Sequence, residues 1–238
     1  MTRSSRLDGW RRLESSIESC ERCPRLVDHC REVARTRRRA YRDQVYWGKP
    51  VPGFGDRQAR ILLIGLAPAA HGANRTGRMF TGDRSGDWLY GALHRAGLSN
   101  RPRSDGRDDG LELRGAFISA TCRCAPPANK PSTDEMANCE SYLDREFELL
   151  AGLRVVVALG KIAWDASLRR VQRIAPGDLP RPKPRFSDGA ECRLPFREDG
   201  APILLLGSYH PSQQNTQTGR LTREMFDSVM ERAVRLAL

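Results

Sequence analysis

Four short apolar runs, each followed by a polar segment, recur along the chain. They cover residues 60–66, 115–121, 154–160 and 202–207. Continuous apolar runs of this length are typical of strands buried on both faces of a parallel sheet. Helical patterns alternate with them, over about 85–96, 133–150, 161–171 and 219–237. The alternation predicts an α/β fold in which helices sandwich a four-stranded parallel sheet.

The chain length of 238 residues favours a single domain over residues 1–238. An N-terminal helical segment, about 7–58, precedes an α/β core of about 59–238. Its helices, over 7–35, are interrupted at residues 20–24, and 41–58 is an aromatic-rich connection. Residues 176–186 contain four prolines and are predicted to form an extended surface insertion. A small hairpin is expected over 187–197.

Polar loops follow three of the predicted strands, at residues 65–83, 122–130 and 208–222. In open α/β sheets, ligands bind at the edge formed by the carboxyl ends of the strands. We therefore expect the three loops to line one crevice. The side chains that they bring there are those of Phe80, Asp83, Asn129, His210 and several arginines. This set predicts an active site with a basic character.

The formal net charge of +11 points to a polyanionic partner. A generally arginine-rich proteome would produce a similar excess as solvated surface, and the run at 35–39 fits either explanation. No stretch approaches the roughly 20 apolar residues of a membrane span. The first residues lack the apolar centre of a signal peptide. We expect a cytoplasmic protein without a membrane partner.

The seven cysteines form the next pattern. In a reducing cytosol, an odd number favours metal or cluster ligation over disulfides. Cys20 and Cys23 form a chelating pair, Cys124 precedes a rigid Ala-Pro-Pro segment, and Cys139 lies on a helix that a Ser132–Glu135 capping box begins. Four thiolates without a nearby histidine suit zinc or an iron–sulfur cluster. The others, Cys30, Cys122 and Cys192, are predicted to be free thiols.

The strings GLAPAAHG at 65–72, NRTGRMFTGD at 74–83 and HPSQQNTQTGRLT at 210–222 closely resemble the uracil-DNA glycosylase superfamily. Within it, the chain resembles family 5, an iron–sulfur branch, from Cys20 to the last helix. The resemblance implies the four-stranded parallel sheet with flanking helices. It also implies a structural [4Fe–4S] cluster that clamps the N-terminal segment, with four ligands: Cys20, Cys23, Cys124 and Cys139.

The resemblance further implies hydrolysis of the N-glycosidic bond of a damaged base in DNA. Such an enzyme must hold the base outside the duplex and stabilise the negative charge that the departing base acquires. His210 can donate to a base carbonyl, Phe80 can stack on the base, and Asp83 and Asn129 can position water or the base edge. Three further residues are expected at the base: Gly65, Ala67 and His71.

The expected partner is double- or single-stranded DNA that contains deaminated bases, and the enzyme is expected to be a monomer. Residues 213–220 resemble the segment that enters the minor groove. The predicted DNA contacts are Arg75, Arg78, Lys130, Gln213, Gln214, Asn215 and Arg220.

Two positions depart from better-known branches of the superfamily. Ala67 stands where they have a water-activating aspartate, and Ala120 stands where they have an asparagine that reads uracil. Loss of that amide removes discrimination against other bases, so hypoxanthine and xanthine become additional expected substrates.

Alternatives remain for most of the candidates. Asp83 could cap the helix that begins near Ser85, Phe80 could anchor its own loop, and His71 could brace it. Asn129 could be an ordinary turn residue. For the whole protein, the main alternative is a non-catalytic DNA-binding module that holds zinc or an iron–sulfur cluster. A nuclease is disfavoured because no group of carboxylates stands ready to bind Mg²⁺.

Overall fold

One mixed sheet forms the centre of the computed structural model, which describes residues 3–174, 179–195 and 202–238. Its strands are β1 (Phe54–Gly55), β2 (Ile61–Gly65), β3 (Ala116–Ala120), β4 (Val155–Leu159), β5 (Glu191–Pro195) and β6 (Pro202–Ser208). The spatial order is β1-β3-β2-β4-β6-β5. The four central strands are parallel, and each coincides with one of the predicted apolar runs.

The prediction of a purely four-stranded parallel sheet was incomplete because an antiparallel strand lies at each edge. At one edge, Phe54 of β1 pairs with Ile118 of β3. At the other, Cys192 of β5 pairs with Leu205 of β6. The hairpin predicted over 187–197 was therefore wrong in its pairing, because the described part of this segment forms one strand whose partner is β6. The hairpin residues 196 and 197, and residues 176–178 of the predicted insertion, lie outside the described residues.

Eight α-helices are found in the described residues, and the predicted alternation with the strands is confirmed. They are α1 (Arg3–Glu18), α2 (Pro24–Thr36), α3 (Ala73–Thr76), α4 (Arg84–Arg95), α5 (Thr133–Leu149), α6 (Lys161–Ile174), α7 (Gln213–Gln217) and α8 (Arg223–Ala237). The predicted capping box begins α5: Glu135 N donates to Ser132 Oγ at 3.2 Å, and Ser132 N donates to Glu135 Oε2 at 2.7 Å.

Apolar side chains cover both faces of the sheet. Helices α1, α5 and α6 pack on one face, with Trp10, Phe147 and Trp164 in the buried core. Helices α4 and α8 pack on the other face, with Tyr90 and Phe226 in its core. The helices thus cover the two faces and leave the carboxyl ends of the parallel strands to the loops.

The topology places a crevice at that edge. After β2 the chain adds β3 on one side of it and later β4 on the other, so connections leave β2 and β4 in opposite directions. A reversal of this kind opens a crevice at the carboxyl ends of the strands, where ligands bind in open α/β sheets.

Among the described residues, no helix has the length and apolar character that crossing a membrane requires.

Candidate active site

Three loops meet at the carboxyl edge of the sheet. We call residues 66–83 the first loop, 121–132 the second loop and 209–222 the third loop. Thr121 N donates to Gly65 O at 3.0 Å, and Cys122 N donates to Leu66 O at 2.9 Å. These two bonds extend the β2–β3 pairing beyond the strands, so the first two loops leave the sheet side by side.

Phe80 and His210 bring the first and third loops together. Their ring centroids lie 5.8 Å apart with an interplanar angle of 29°. The Phe80 ring also lies over Gly65 at the end of β2, where a Cβ would meet its Cζ at 2.8 Å. Phe80 has φ = 54°, an unfavourable left-handed conformation for a residue with a bulky side chain. The fold therefore holds this ring in a defined place between β2 and the third loop.

The backbone around His210 is held on both sides. Its carbonyl accepts from Ser212 N at 2.7 Å and from Asn215 Nδ2 at 2.9 Å. The preceding amide, Tyr209 N, donates to Asp188 Oδ1 at 2.8 Å. Burial lowers the pKa of His210 to about 4. The imidazole is therefore neutral near pH 7, and it can act there as a fixed hydrogen-bond donor.

Asp83 caps helix α4. Its Oδ1 accepts from Gly86 N at 2.9 Å, as the cap alternative anticipated. Burial raises the pKa of its carboxyl group. The other oxygen, Oδ2, lies where a side chain on Gly72 would stand, so a glycine is needed there for this approach. The cap explains the position of Asp83 and leaves its predicted catalytic role a prediction.

The remaining base-site candidates of the first loop have structural contacts. His71 Nδ1 lies 3.1 Å from Tyr46 Oη, which favours the bracing alternative. Burial, followed by the charges of Arg38 and Arg75, lowers the pKa of His71. Ala67 is partly buried and packs against the core on the α1, α5 and α6 face.

Asn129 lies in a turn at the tip of the second loop. Ala128 and Asn129 both have left-handed φ angles, of 52° and 57°. Asn129 and Lys130 are exposed, and no described contact joins Asn129 to Phe80 or His210. The turn alternative therefore accounts for the placement of Asn129, and Lys130 keeps a surface position compatible with its predicted DNA contact.

Arg75 and Arg78 do not lie on the surface, where a phosphate contact would require them. Arg75 is 8% exposed and donates to His71 O, Gln44 Oε1 and Gly82 O. Arg78 is 5% exposed and pairs with Asp109 at 2.7 Å. Both guanidinium groups satisfy internal partners, and this placement favours a structural role over the predicted DNA contacts.

The third-loop candidates divide into exposed side chains and one that is turned inward. Gln213 and Gln214 are exposed on α7, and Arg220 is exposed with its guanidinium 4.6 Å from the ring centre of Tyr209. Asn215, by contrast, is turned inward to the backbone of His210. Three of the four side chains are thus accessible to DNA, while Asn215 positions the histidine.

The cysteines predicted as ligands gather where the N-terminal segment meets the second loop. Cys20 and Cys23 lie between α1 and α2, Cys124 lies in the second loop, and Cys139 lies in α5. Two arginines hold the connection between α1 and α2 to α5. Arg25 pairs with Glu135 at 2.7 Å, and Arg22 donates to Asn138 O at 3.1 Å. The segment is thus fixed to α5 by polar contacts that do not use the thiols.

The thiols are mostly buried and partly paired. Cys30 and Cys124 are hydrogen-bonded, as are Cys122 and Cys139. The bond from Cys122 lowers the pKa of Cys139 to about 6. Within the described ranges, no three thiol, imidazole or carboxylate groups stand close enough to hold one metal ion. Ligands of a four-iron cluster bind different irons, so they stand farther apart than the ligands of a single ion.

A buried charge pair lies beside the cysteines. Arg123, between Cys122 and Cys124, and Glu146 are each 1% exposed and are joined at 2.7 Å. Ser119 Oγ donates to the same carboxylate oxygen, Oε2, at 2.5 Å. The Nε and Nη1 groups of Arg123 have no hydrogen-bond partner among the described residues. Two unpartnered donors in the interior, next to predicted cluster ligands, suit an anionic group with sulfur acceptors.

Sequence reasoning missed several residues that position the site. Asp188 holds the amide next to His210, Tyr46 braces His71, and Gly72 makes room for Asp83. Gly72 had a signal, since it lies within the GLAPAAHG string. Asp188 and Tyr46 had none, because each acts on a partner far away in the sequence.

The chain was also compared with known proteins. The model of the uracil DNA glycosylase superfamily matches residues 52–233. A type-5 uracil-DNA glycosylase of Mycobacterium leprae is 53% identical over 226 residues, which cover 94% of each chain. One of Thermus thermophilus is 51% identical over 222 residues, or 93% of this chain and 95% of the relative. A type-4 uracil-DNA glycosylase of Pyrobaculum aerophilum is 28% identical over 206 residues, or 84% and 82% of the two chains.

The family model spans most of the chain, and the type-5 relatives share about half of its residues over nearly its whole length. The chain therefore belongs to the uracil-DNA glycosylase superfamily.

Proposed function

We propose that the protein removes uracil, and also hypoxanthine and xanthine, from DNA by hydrolysing the N-glycosidic bond, as the first step of base excision repair. The observation that carries the proposal is the pair of Phe80 and His210, which come from two loops and lie side by side at the ligand edge of the sheet. The type-5 relatives, which are uracil-DNA glycosylases by name, support the same activity.

His210 has the chemistry that the leaving base requires. A base that stacks on the Phe80 ring would place one edge beside the imidazole. Burial keeps His210 neutral, and the one N–H of a neutral imidazole can donate to a base carbonyl. Negative charge grows on that carbonyl as the bond to the sugar breaks, so the hydrogen bond strengthens in the transition state.

Asp83 is proposed to act on the sugar side. Its carboxylate would orient the attacking water or stabilise the positive charge on the deoxyribose. The cap to Gly86 supports this role, because it fixes the carboxylate at the start of α4 without using all of its acceptor positions. The Asn129 side chain is exposed in the free protein. It would therefore help to position the attacking water only when DNA is bound.

The range of bases follows from what the site lacks. Ala120 ends β3 with a buried methyl group, where an amide could have read a single base edge. Ala67 likewise contributes no polar atom after β2. A pocket that depends on stacking and on one donor to a carbonyl oxygen accepts each deaminated base, because all of them have such an oxygen.

We further propose a [4Fe–4S] cluster on Cys20, Cys23, Cys124 and Cys139. When bound, it would supply a structural crosslink between the N-terminal segment, the second loop and α5. The four residues lie on these three elements. Arg22 and Arg25 join the N-terminal segment to α5, and Arg25 also donates to Lys130 O in the second loop at 3.2 Å. The unpartnered donors of Arg123 are suited to the negative charge of a thiolate-ligated cluster.

The activity is tested on duplexes that contain one uracil or one hypoxanthine, with alkaline cleavage of the abasic product under single-turnover conditions. Replacing a preorganised donor to a developing anion costs about 10²–10³ in rate. We expect His210→Ala to lose about that much on both substrates. His94→Ala is the matched control, since His94 is exposed in the last turn of α4. A wild-type protein that binds both duplexes and cleaves neither would favour the non-catalytic alternative.

The cluster is tested by iron, zinc and sulfide content after anaerobic purification. Serine at Cys20, Cys23, Cys124 or Cys139 should abolish the visible absorbance, whereas serine at Cys30, Cys122 or Cys192 should preserve it. Cys30 and Cys122 are the demanding controls, because each thiol touches a proposed ligand. Loss of the absorbance in Cys122→Ser with retention in Cys139→Ser would contradict the assignment, and zinc without sulfide would contradict the cluster.

A further inference from the structure

Four exposed arginines follow helix α2, and we call three of them, Arg38, Arg39 and Arg42, the basic ridge. Arg38 and Arg39 have no ion-pair partner in the part of the chain that the structure describes. Arg42 lies 3.9 Å from Asp43, and both side chains are largely exposed. The attraction between two exposed charges at this distance is weak. The ridge therefore presents nearly uncompensated positive charge.

The arginines of α2 itself provide a contrast. Arg31 pairs with Glu21 at 2.5 Å, and Arg35 pairs with Glu32 at 2.8 Å. All four side chains are exposed, so these pairs differ from the ridge in charge compensation and not in accessibility. Positive charge is thus concentrated beyond the end of the helix.

The ridge is attached directly to the first loop. Tyr46 Oη accepts from Arg38 N at 3.4 Å and lies 3.1 Å from His71 Nδ1. A second contact is made by Tyr41, which lies between Arg39 and Arg42 in the chain. The guanidinium of Arg75, in the first loop, lies 4.0 Å from the centre of the Tyr41 ring. The ridge therefore borders the same loop that presents Phe80.

The backbone of the ridge is held in place by Arg37. This residue has φ = 53° at the end of α2, a conformation that is unfavourable outside glycine. Its guanidinium donates to Ala34 O at 3.3 Å and to Arg42 O at 2.7 Å. It thereby connects the last turn of α2 to the far end of the ridge. A surface fixed before binding loses less conformational entropy when a ligand arrives.

We infer that the basic ridge binds phosphates of the DNA strand next to the nucleotide held at Phe80. The inference rests on the proposed function and names a surface for its substrate. Exposed guanidinium groups form paired hydrogen bonds with phosphate oxygens. Their position beside the first loop lets the ridge reach phosphates, whereas Arg75 and Arg78 are buried against internal partners.

The test measures binding to a duplex with an uncleavable abasic-site analogue at several salt concentrations. Each phosphate contact contributes about 0.9 to the slope of log K against log salt. We expect Arg38→Ala and Arg39→Ala each to flatten the slope by about that amount and to weaken binding near physiological salt. Arg31→Ala and Arg35→Ala are the matched controls, and their slopes should change by less than half as much.

The outcomes separate this inference from the proposed function. If the wild-type protein fails to cleave uracil-containing DNA, the proposed function falls whatever the ridge binds. If it cleaves, while an Arg38→Ala/Arg39→Ala double variant keeps the wild-type affinity and slope, the ridge inference alone is overturned. Equal losses in ridge and control variants would also overturn it, because they would reflect net charge and not a site. Thermal melting establishes that each variant is folded.

Discussion

The Phe80 ring lies so close to Gly65 that even one methyl group on the glycine would displace it. A Cβ at position 65 would stand 2.8 Å from Cζ and 2.9 Å from Cε2 of that ring. These distances are well below ordinary contact between carbon atoms. The glycine thus sets the depth at which the proposed stacking surface lies, and through that surface the position of a base relative to His210.

Gly65→Ala should therefore slow base removal. A misplacement of about 1 Å can cost 10²-fold in rate. We expect a loss of that order in single-turnover cleavage of uracil-containing DNA, with affinity for an abasic-site duplex retained. Gly106→Ala is the control, because a Cβ there meets nothing within 4 Å. An unchanged rate in Gly65→Ala would show that the ring does not position the base.

The role of Asp83 can be separated into its cap and its charge. Asparagine is as good a helix cap as aspartate, so Asp83→Asn should melt like the wild type, whereas Asp83→Ala should lose about 1 kcal/mol. If the carboxylate acts on water or on the sugar, both variants should cleave slowly. Denaturant unfolding and single-turnover kinetics measure the two effects. Full activity in Asp83→Asn would leave the residue with the cap alone.

The low pKa of His210 predicts how its contribution depends on pH. The ratio of wild-type to His210→Ala single-turnover rates should stay constant from about pH 5.5 to 8, because a pKa of about 4 keeps the imidazole neutral there. A histidine with the ordinary value of 6.5 would instead change that ratio below pH 7. A step in the ratio near pH 6.5 would contradict the neutral donor.

The same shift affects stability. The unfolded chain binds this proton near pH 6.5 and the folded chain only near pH 4. Protonation therefore favours unfolding over that interval. The contribution of His210 to stability is complete above about pH 6.5 and declines as the pH falls towards 4. Unfolding curves of wild type and His210→Ala in this range measure it.

Arg78 should matter for stability. Removing one partner of a buried ion pair costs about 3–5 kcal/mol, because the other charge remains buried. Arg78→Ala should therefore destabilise the protein by roughly that amount in urea unfolding. Arg145→Ala, which breaks the exposed pair with Glu148, should cost less than about 1 kcal/mol. A stable Arg78→Ala with a flatter salt dependence of DNA binding would restore the predicted phosphate contact.

The sequence was sufficient for the centre of the fold. Strands buried on both faces must be apolar throughout, and this is why the runs at 60–66 and 154–160 predict the strands that the structure has at 61–65 and 155–159. The edge strands gave weaker signals. β1 has two residues, and β5 alternates between exposed Glu191 and Arg193 and buried Cys192 and Leu194. The predicted resemblance to the superfamily is confirmed by the family model and the relatives.

The direction of side chains within the loops was not predictable. Arg75 and Arg78 stand in a polar loop, but Arg75 lies in α3 and Arg78 follows it closely, and both side chains are buried. A helix of four residues is too short to show periodicity in a sequence. Asp83 was ambiguous for another reason, since the residue type that suits catalysis is also the one that caps helices.

The pairing of Phe80 with His210 has a consequence for biosynthesis. Phe80 follows the first parallel strand along the chain, and His210 follows the last. The ribosome synthesises the first of these strands long before the last, at a rate of about 5–20 residues per second. The nascent chain can therefore form most of the sheet before His210, one of the two side chains of the base site, has been synthesised. Nascent chains, and fragments that stop before β6, should therefore be unable to release bases from DNA.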